Sequence, residues 1–291
     1  MGDDRPERID AHQHYWRPSR GDYGWLTPET GILYQDYSPS DLAEELRRHG
    51  IDRTILVQAA PTVAETEDML DLYDAHDSIA GVVGWLDFEA EPLSFLSQLD
   101  AFRGRSGFVG VRPMIQDLPA DWLLREPVRT NVRQLARRGV PLDLQARLWH
   151  LPHILELLRA LPDLHAVVDH LAKPDIEAGS MSPWAEQLKE IAAFPNVMCK
   201  VSGFVSGTPG SPWTREQIRP YLEAAFDVFG PQRTMFGSDW PVCLLSSSYQ
   251  EVYEAVRSAF PERWGPNEFD AVFGGNAARF YRIRERSRTR P

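Results

Sequence analysis

The sequence has little cysteine, which excludes a fold held together by disulfide bonds. Cys199 and Cys243 are the only two cysteines in 291 residues, whereas small disulfide-stabilised scaffolds need several pairs. Cys199 falls within an apolar, strand-like run, where a buried free thiol is the simplest interpretation. This usage favours a protein of the reducing cytoplasm.

Long apolar runs and an excess of positive charge are also missing. No segment reaches the roughly 18 uninterrupted apolar residues that a membrane span requires, and residues 1–7 are polar and charged, unlike a signal peptide. The chain has 31 Lys and Arg against 42 Asp and Glu, a formal net charge of -11. Because phosphate contacts require concentrated cations, this balance argues against nucleic-acid binding and favours a small-molecule ligand.

What the chain does contain is a regular alternation of apolar, strand-like segments with helical ones. Helix starts are marked by capping boxes at Thr62 and Thr214, and one helix end is marked by Gly139. The first of the eight predicted strands begins at residue 9. The other seven occupy residues 53–59, 79–88, 107–113, 140–146, 165–170, 196–203 and 233–239. Eight apolar strands alternating with helices predict an α/β fold, a (β/α)8 TIM barrel, with residues 1–291 as a single domain.

A doubly wound open sheet is the alternative architecture. It loses support because no Gly-rich phosphate loop follows the first strand. Residues 15–39, rich in Trp, Tyr, Gly and Pro, are too long for a simple connector and are predicted to form a loop that covers the active site. Residues 282–291 are predicted to be a basic tail, solvated or frayed.

Polar side chains end most of the predicted strands. The carboxyl ends of barrel strands carry catalytic groups, and a buried polar residue is costly unless it is paired or used. The first strand supplies His12 and His14, whose spacing puts both side chains on one face. Other strand ends supply Arg112, Gln145, Asp169, His170, Lys200, Ser202 and Asp239. Each of these residues, taken alone, can be explained as a paired or hydrogen-bonded structural residue. Because all of them end strands at the same end of the predicted barrel, we predict an active site there.

Six motifs, in order along the chain, make the sequence similar to a known family. They are DAHQHYW at 10–16, GVRP at 110–113, DHLAKP at 169–174, KVSG at 200–203, GSDWP at 237–241 and VFGGNAARFY at 272–281. Together they resemble the amidohydrolase superfamily, and within it the amidohydrolase-2 branch of sugar-acid lactonases, which includes L-fuconolactonases and L-rhamnono-lactonases. The resemblance implies a carboxylic ester hydrolase whose small-molecule substrate is a sugar (aldono) lactone, opened to the free acid.

The same resemblance bears on metal use. Metal-dependent members of the superfamily add a strand-five His, and often a metal-bridging strand-four Lys, to the strand-one histidines and the strand-eight Asp. This chain has Gln145 and Arg112 at those places, and neither replaces such a ligand, because Arg stays protonated and Gln binds zinc poorly. No metal is therefore expected to be required. If one zinc or other divalent ion binds, its expected ligands are His12, His14 and Asp239.

The mechanistic hypothesis is direct attack of water on the lactone carbonyl. Asp239 is the predicted general base, a role that suits a carboxylate if a neighbouring loop excludes water and raises its pKa. The other predicted catalytic residues, which would stabilise the oxyanion or return a proton to the ring oxygen, are His170, His12 and His14. Charged, amide and flat aromatic side chains complete the site, and the predicted substrate-binding residues are Arg112, Lys200, Gln145, Tyr15, Trp16, Trp25 and Trp240.

Two alternative functions stay open at this point. A zinc-dependent amidohydrolase or decarboxylase of the same superfamily would lose its activity with its metal. A barrel that binds a sugar acid without turning it over would keep its affinity after Asp239→Asn. The ring size and configuration of the lactone, any second carboxylate on it and the oligomeric state depend on loop shapes that the sequence does not specify.

Overall fold

Eight parallel strands form the centre of the protein in a computed structural model that describes residues 5–204 and 213–283. In chain order they are β1 (Ile9–Gln13), β2 (Arg53–Val57), β3 (Ile79–Gly84), β4 (Phe108–Val111), β5 (Leu142–Leu144), β6 (Ala166–Val168), β7 (Val197–Val201) and β8 (Thr234–Phe236). Each strand pairs with the next. An isolated parallel bridge joins Gln13, at the end of β1, to Trp240, four residues after β8, so the strands form the predicted (β/α)8 barrel.

Helices connect the strands and cover the outside of the barrel. They are α1 (Pro39–His49), α2 (Val63–Ala75), α3 (Pro92–Arg103), α4 (Val128–Arg138), α5 (Leu151–Ala160), α6 (Trp184–Ala192), α7 (Arg215–Phe229), α8 (Tyr249–Ser258), α9 (Pro266–Asp270) and α10 (Asn276–Phe280). Thr62 and Thr214 cap α2 and α7 as the sequence predicts, each side chain accepting a hydrogen bond from a backbone N–H three residues later. Within the described ranges, no helix has both the length and the apolar character needed to cross a membrane.

The barrel interior is apolar at one end and polar at the other. Inward-facing residues of the strands, including Ile55, Val167 and Met235, form one apolar cluster, which Phe280 and Tyr281 join near the starts of the strands. A larger apolar layer lies between the sheet and the helices. The C-terminal segment therefore closes the amino-terminal end of the barrel, and the polar residues occupy the opposite end.

Several predicted strands are longer than the observed ones, and the difference falls on polar residues. β5, β6 and β8 have only three residues each, so Gln145, His170 and Asp239 follow their strands instead of ending them. Successive residues of a strand point to opposite faces. Asp169 and His170 are both buried and both contact site residues, so the chain must leave the strand to turn both inward.

The structure describes all of the predicted active-site loop but only the start of the predicted basic tail. The loop predicted at residues 15–39 ends where α1 begins, at Pro39, and contains short 3₁₀ turns at Pro18–Arg20 and Pro28–Leu33. The basic tail predicted at residues 282–291 lies outside the described residues from position 284 onward. Only its first two residues can be placed against the barrel.

The aromatic layer beneath α8 makes a testable contribution to stability. Phe273 is fully buried, and its ring centroid lies 4.4 Å from that of Phe269 and 4.7 Å from that of Phe236. Phe273→Ala should lower the free energy of unfolding by about 3–5 kcal/mol because it removes this packing and leaves a cavity. Urea denaturation measures the change. Leu93→Ala, at a side chain that is 83% exposed, is the control, and an equal loss in both variants would contradict the packing argument.

Candidate active site

A cavity of about 400 Å³ opens at the carboxyl ends of the strands. Six of the predicted site residues line it: His14, Trp25, Arg112, Gln145, His170 and Asp239. Trp25 reaches the cavity from the loop between β1 and α1, and the same loop adds Glu29, Thr30 and Leu33 to the wall. The barrel strands thus present the charged groups from below, and this loop forms one side above them.

Three imidazoles surround the carboxylate of Asp239. Its Oδ1 lies 3.3 Å from Nε2 of His14, 3.7 Å from Nε2 of His12 and 4.0 Å from Nε2 of His170. The backbone fixes this arrangement, because the Asp239 N–H donates to the His12 carbonyl at 2.8 Å and the His14 N–H donates to the Trp240 carbonyl at 2.7 Å. The first and last strands therefore place the catalytic candidates against one another.

Hydrogen bonds on the far side of each ring orient the imidazoles. Nδ1 of His14 lies 2.7 Å from the Val57 carbonyl, which only accepts, so that nitrogen carries the proton. A neutral His14 then turns the lone pair of Nε2 towards Asp239. Nδ1 of His170 is similarly engaged, 2.9 Å from Oγ of Ser202. A lone pair that faces a carboxylate oxygen repels it, so a proton or a divalent cation between the two atoms would be stabilising.

The environment keeps the imidazoles neutral and the carboxylate ionised. Burial lowers the pKa of His12 and His14 below the usual value, and lowers that of His170 to about 4. Burial alone would raise the pKa of Asp239, but the surrounding histidines hold it below the usual range. The condition that a covering loop raises the pKa of Asp239 is therefore not met, because polar partners outweigh the loss of water.

The same four side chains fit a single divalent cation. Nitrogen and oxygen atoms of His12, His14 and Asp239 lie within 4.8 Å of one another, and Nε2 of His170 faces the same carboxylate oxygen. Tetrahedral zinc sites use such ligands at about 2.0–2.2 Å. Arg112 works against an ion there, because its Nη1 lies 3.4 Å from Nε2 of His12. The donor set is thus suited to one ion, with a permanent positive charge beside it.

Arg112 is held at the cavity by Gln58, the residue that follows β2. Its Nη2 donates to the Gln58 carbonyl, and the Gln58 side-chain amide donates back to the Arg112 carbonyl at 2.8 Å. Only 2% of the residue is exposed, and it faces the cavity. The guanidinium is therefore a fixed cation at the cavity, with Nη1 3.8 Å from Oδ2 of Asp169 and with no hydrogen-bond partner for Nε in the described structure.

Lys200 occupies a different place from Arg112. The side chain points into the barrel below the cavity, where the ammonium donates to Asp143 and lies 3.2 Å from Oδ1 of Asp169. It is also 3.3 Å from Nδ1 of His12. This buried ion group, which we call the Lys200 cluster (Lys200, Asp143 and Asp169), supports His12 from beneath.

A left-handed turn after β6 brings a further lysine to the cavity. His170, Leu171, Ala172 and Lys173 all have positive φ angles, between 48° and 57°, a conformation that costs L-residues roughly 1–2 kcal/mol each. His170 and Lys173 both line the cavity, and the Lys173 ammonium donates to Gln116 Oε1 at 2.9 Å. Strain of this kind is typical of functional sites. Burial lowers the pKa of Lys173.

Three predicted aromatic contacts lie behind the cavity wall. Tyr15, Trp16 and Trp240 are each at most 4% exposed, and the Tyr15 ring meets that of Trp240 at a centroid distance of 6.0 Å. Trp16 packs edge-on against Trp25 at 5.3 Å and donates its indole N–H to the Leu33 carbonyl. Of the four predicted aromatic residues, the structure brings Trp25 to the cavity, packs Trp16 against it and buries Tyr15 and Trp240 against each other.

Sequence reasoning missed Asp143, Gln58 and Gln116. Asp143 had a readable signal: it is a charged residue inside an apolar strand, two positions before Gln145 and so on the same face. Gln58 and Gln116 act through atoms of Arg112 and Lys173 from neighbouring strands or loops. No local pattern marks such partners.

Comparison with known proteins identifies a family model and several relatives that match nearly the whole chain. A family model described as Amidohydrolase matches residues 9–283. The chain is 36% identical to the L-fucono-1,5-lactonase of Burkholderia ambifaria over 280 positions, covering 95% of this chain and 96% of the relative. It is 38% identical to that of Burkholderia multivorans over 301 aligned positions, covering 96% and 97%. A crystal structure of a Burkholderia multivorans amidohydrolase with bound zinc has a TM-score of 0.89 at 34% identity, covering 96% of this chain and 100% of that one.

The two lysines should respond differently to substitution. Lys200→Met leaves two buried carboxylates without their cation and should cost about 3–5 kcal/mol of unfolding free energy at neutral pH. Lys173→Met removes a partly exposed lysine bonded to a neutral amide, and should cost about 1 kcal/mol or less. Urea denaturation of both variants provides the comparison.

The loss in Lys200→Met should also depend on pH. Asp143 already has a pKa raised to about 6 by burial, although Lys200 lowers it. Without Lys200, the buried carboxylates bind protons more tightly in the folded than in the unfolded chain, so stability rises as pH falls. The deficit relative to wild type should shrink between about pH 8 and about pH 5. A deficit that does not change with pH would show that lost packing, and not charge, is responsible.

Proposed function

The chain belongs to the amidohydrolase family, and we propose that it is a lactonase that hydrolyses an aldono-lactone to the free sugar acid. The two L-fucono-1,5-lactonases that it resembles over nearly their full length support a six-membered lactone of an L-sugar acid as substrate. The observation that carries the proposal is the meeting of one ionised carboxylate, Asp239, with two cations, Arg112 and Lys173, around one cavity. Lactone hydrolysis needs a base for water and positive charge for the carbonyl oxygen.

In the proposed reaction, Asp239 orients a water molecule and accepts its proton as the water oxygen bonds to the lactone carbonyl carbon. A carboxylate with a lowered pKa is always ionised at neutral pH but is a weak base. Its weakness makes activation of the electrophile more important. The histidines around Asp239 are neutral at this pH, so they surround the carboxylate without neutralising its charge.

The electrophile is activated by Arg112 and Lys173. As water adds, the carbonyl oxygen gains negative charge, and fixed donors that point at that oxygen stabilise the transition state more than the ground state. Arg112 is fixed by Gln58 and Lys173 by Gln116, so both cations are positioned before the substrate arrives. Gln145 and Trp25 line the same cavity, where they can contact hydroxyl groups and a sugar face.

Collapse of the tetrahedral intermediate breaks the bond between the carbonyl carbon and the ring oxygen. The proton held by Asp239 passes to that ring oxygen, directly or through His170, and becomes the hydrogen of a free hydroxyl group. The product is an open-chain hydroxy acid, which ionises and releases one proton to solution. Asp239 is thereby returned to its carboxylate form.

A bound divalent ion is compatible with this site. His12, His14 and Asp239, with His170, would hold it, and when bound it would polarise the carbonyl oxygen or lower the pKa of a water. We propose that the reaction does not require it, because Arg112 and Lys173 already supply the positive charge. Gln145 and Arg112 also replace the ligands that a second metal would need.

Proton release from a panel of aldono-lactones tests the function directly. L-fucono-1,5-lactone and related L-sugar lactones should be opened faster than D-configured ones, and Asp239→Asn should lower kcat by about 10²–10⁴-fold without loss of binding. Asp117→Asn is the control, because that carboxylate also lines the cavity but is largely exposed and faces Arg147. Wild-type rates in Asp239→Asn would show that this residue is not the general base. If the protein opened none of the lactones, the proposed lactonase function would be wrong.

Metal removal tests the second part of the proposal. Protein dialysed against a chelator, with its residual metal measured, should keep most of its lactonase activity because its own cations act on the carbonyl. Activity that falls in proportion to zinc content and returns with added zinc would contradict this. The Arg112→Met variant should lose activity in both the chelated and the untreated protein.

A further inference from the structure

A second cavity, of about 220 Å³, lies at the other end of the barrel, beside the starts of β3, β4 and β5. Aromatic and aliphatic groups form its walls, among them Tyr73, Phe108 and Ile283. Four guanidinium-bearing side chains also line it: Arg103, Arg105, Arg138 and Arg282. Among the lining residues of the described chain there is no Asp or Glu.

Only part of this positive charge is neutralised. Arg105 pairs with Asp71 at 3.0 Å and Asp74 at 2.7 Å, and Arg103 lies 3.7 Å from Asp100, all carboxylates that stand outside the cavity lining.

Arg138 and Arg282 are the two cations that remain. Arg138 donates to the neutral Gln134 side chain at 2.9 Å. Arg282 lies over Gly139, with Nη2 3.0 Å from where a Cβ atom would stand, and makes no ion pair within residues 5–204 and 213–283. Two guanidinium groups therefore face the cavity without a carboxylate partner in the described structure.

Helix dipoles explain some of these arginines but not their grouping. Arg103 and Arg138 end α3 and α4, where a positive charge is favourable. Arg105 lies beyond the end of α3, and Arg282 comes from the C-terminal segment after α10. Grouping the two unpaired cations, Arg138 and Arg282, costs repulsion unless an anion offsets it, although the chain as a whole carries a formal net charge of -11.

We propose that this cavity binds a small multivalent oxyanion, either a phosphate compound or a polycarboxylate. Guanidinium groups donate paired N–H bonds that match both chemistries, and Ser106 adds a hydroxyl group to the lining. The apolar walls at Tyr73 and Phe108 would contact an organic part of the ligand. The site is separate from the cavity of Asp239, so the proposal does not depend on the proposed function.

Isothermal titration of the full-length protein tests the site with three named probes: inorganic phosphate, inorganic pyrophosphate and citrate. Sodium chloride at equal ionic strength is the reference, since screening affects all surface charges alike. At least one probe should bind with one-to-one stoichiometry and raise Tm, as a ligand specific for the folded state does. Preference for pyrophosphate or for citrate distinguishes a phosphate ligand from a polycarboxylate.

Arginine variants test whether the anion binds in this cavity. The double variant Arg138→Gln/Arg282→Gln should bind the preferred probe at least about tenfold more weakly, because it removes the two unpaired cations. Arg137→Gln is the matched control: it lies in the same last turn of α4, is exposed and does not line the cavity. Arg138→Lys/Arg282→Lys keeps the charge and should recover part of the affinity.

Two results would overturn the proposal. One is a wild-type protein that binds none of the probes above the chloride reference. The other is an equal loss of affinity in the double variant and in Arg137→Gln, which would indicate general attraction to a basic surface. Because substitution of Arg282 can loosen the end of α4, the Tm of each variant without anion is measured first, and titrations are run well below it.

Discussion

A single positive charge in the barrel interior constrains the polar half of this protein. Lys200 is fully buried, and an unpaired ammonium there would cost several kcal/mol. Asp143 on β5 and Asp169 after β6 neutralise it, and Tyr281 donates to both oxygens of Asp143 at 2.8 Å. The Lys200 cluster thus connects three neighbouring strands to the C-terminal segment that closes the barrel.

The orientation of the site follows from this buried group. Asp169 and Lys200 both contact Nδ1 of His12, at 3.5 Å and 3.3 Å, which turns Nε2 of that ring towards Asp239. Val57 and Ser202 act in the same way on His14 and His170. The imidazoles are therefore fixed by groups below and beside them, and only the cavity side of Asp239 is left for a ligand. Positioned groups of this kind cost little reorganisation during a reaction.

The sequence anticipated the positions of the site residues better than their roles. Alternation of side chains along a strand is local, so His12 and His14, or Lys200 and Ser202, could be assigned to one face without a structure. Lys200, however, is predicted to bind substrate but does not line the cavity and lies below it, because burial depth depends on the strands opposite. Tyr15 and Trp240 were expected to contact substrate and instead pack against each other, for the same reason.

Local patterns in the sequence were enough to predict the eight strands, the helices between them and the set of polar residues at one end of the barrel. The periodicity of apolar residues, the helix-capping residues and the glycine positions each depend on only a few neighbouring residues. They can therefore be identified directly from the sequence. Three features follow only from the folded arrangement: the pKa direction of Asp239, the left-handed turn that carries Lys173 and the grouping of Arg138 with Arg282. Each of these depends on distances between residues far apart in the chain, and electrostatic energy in a buried site varies with those distances and not with the local pattern.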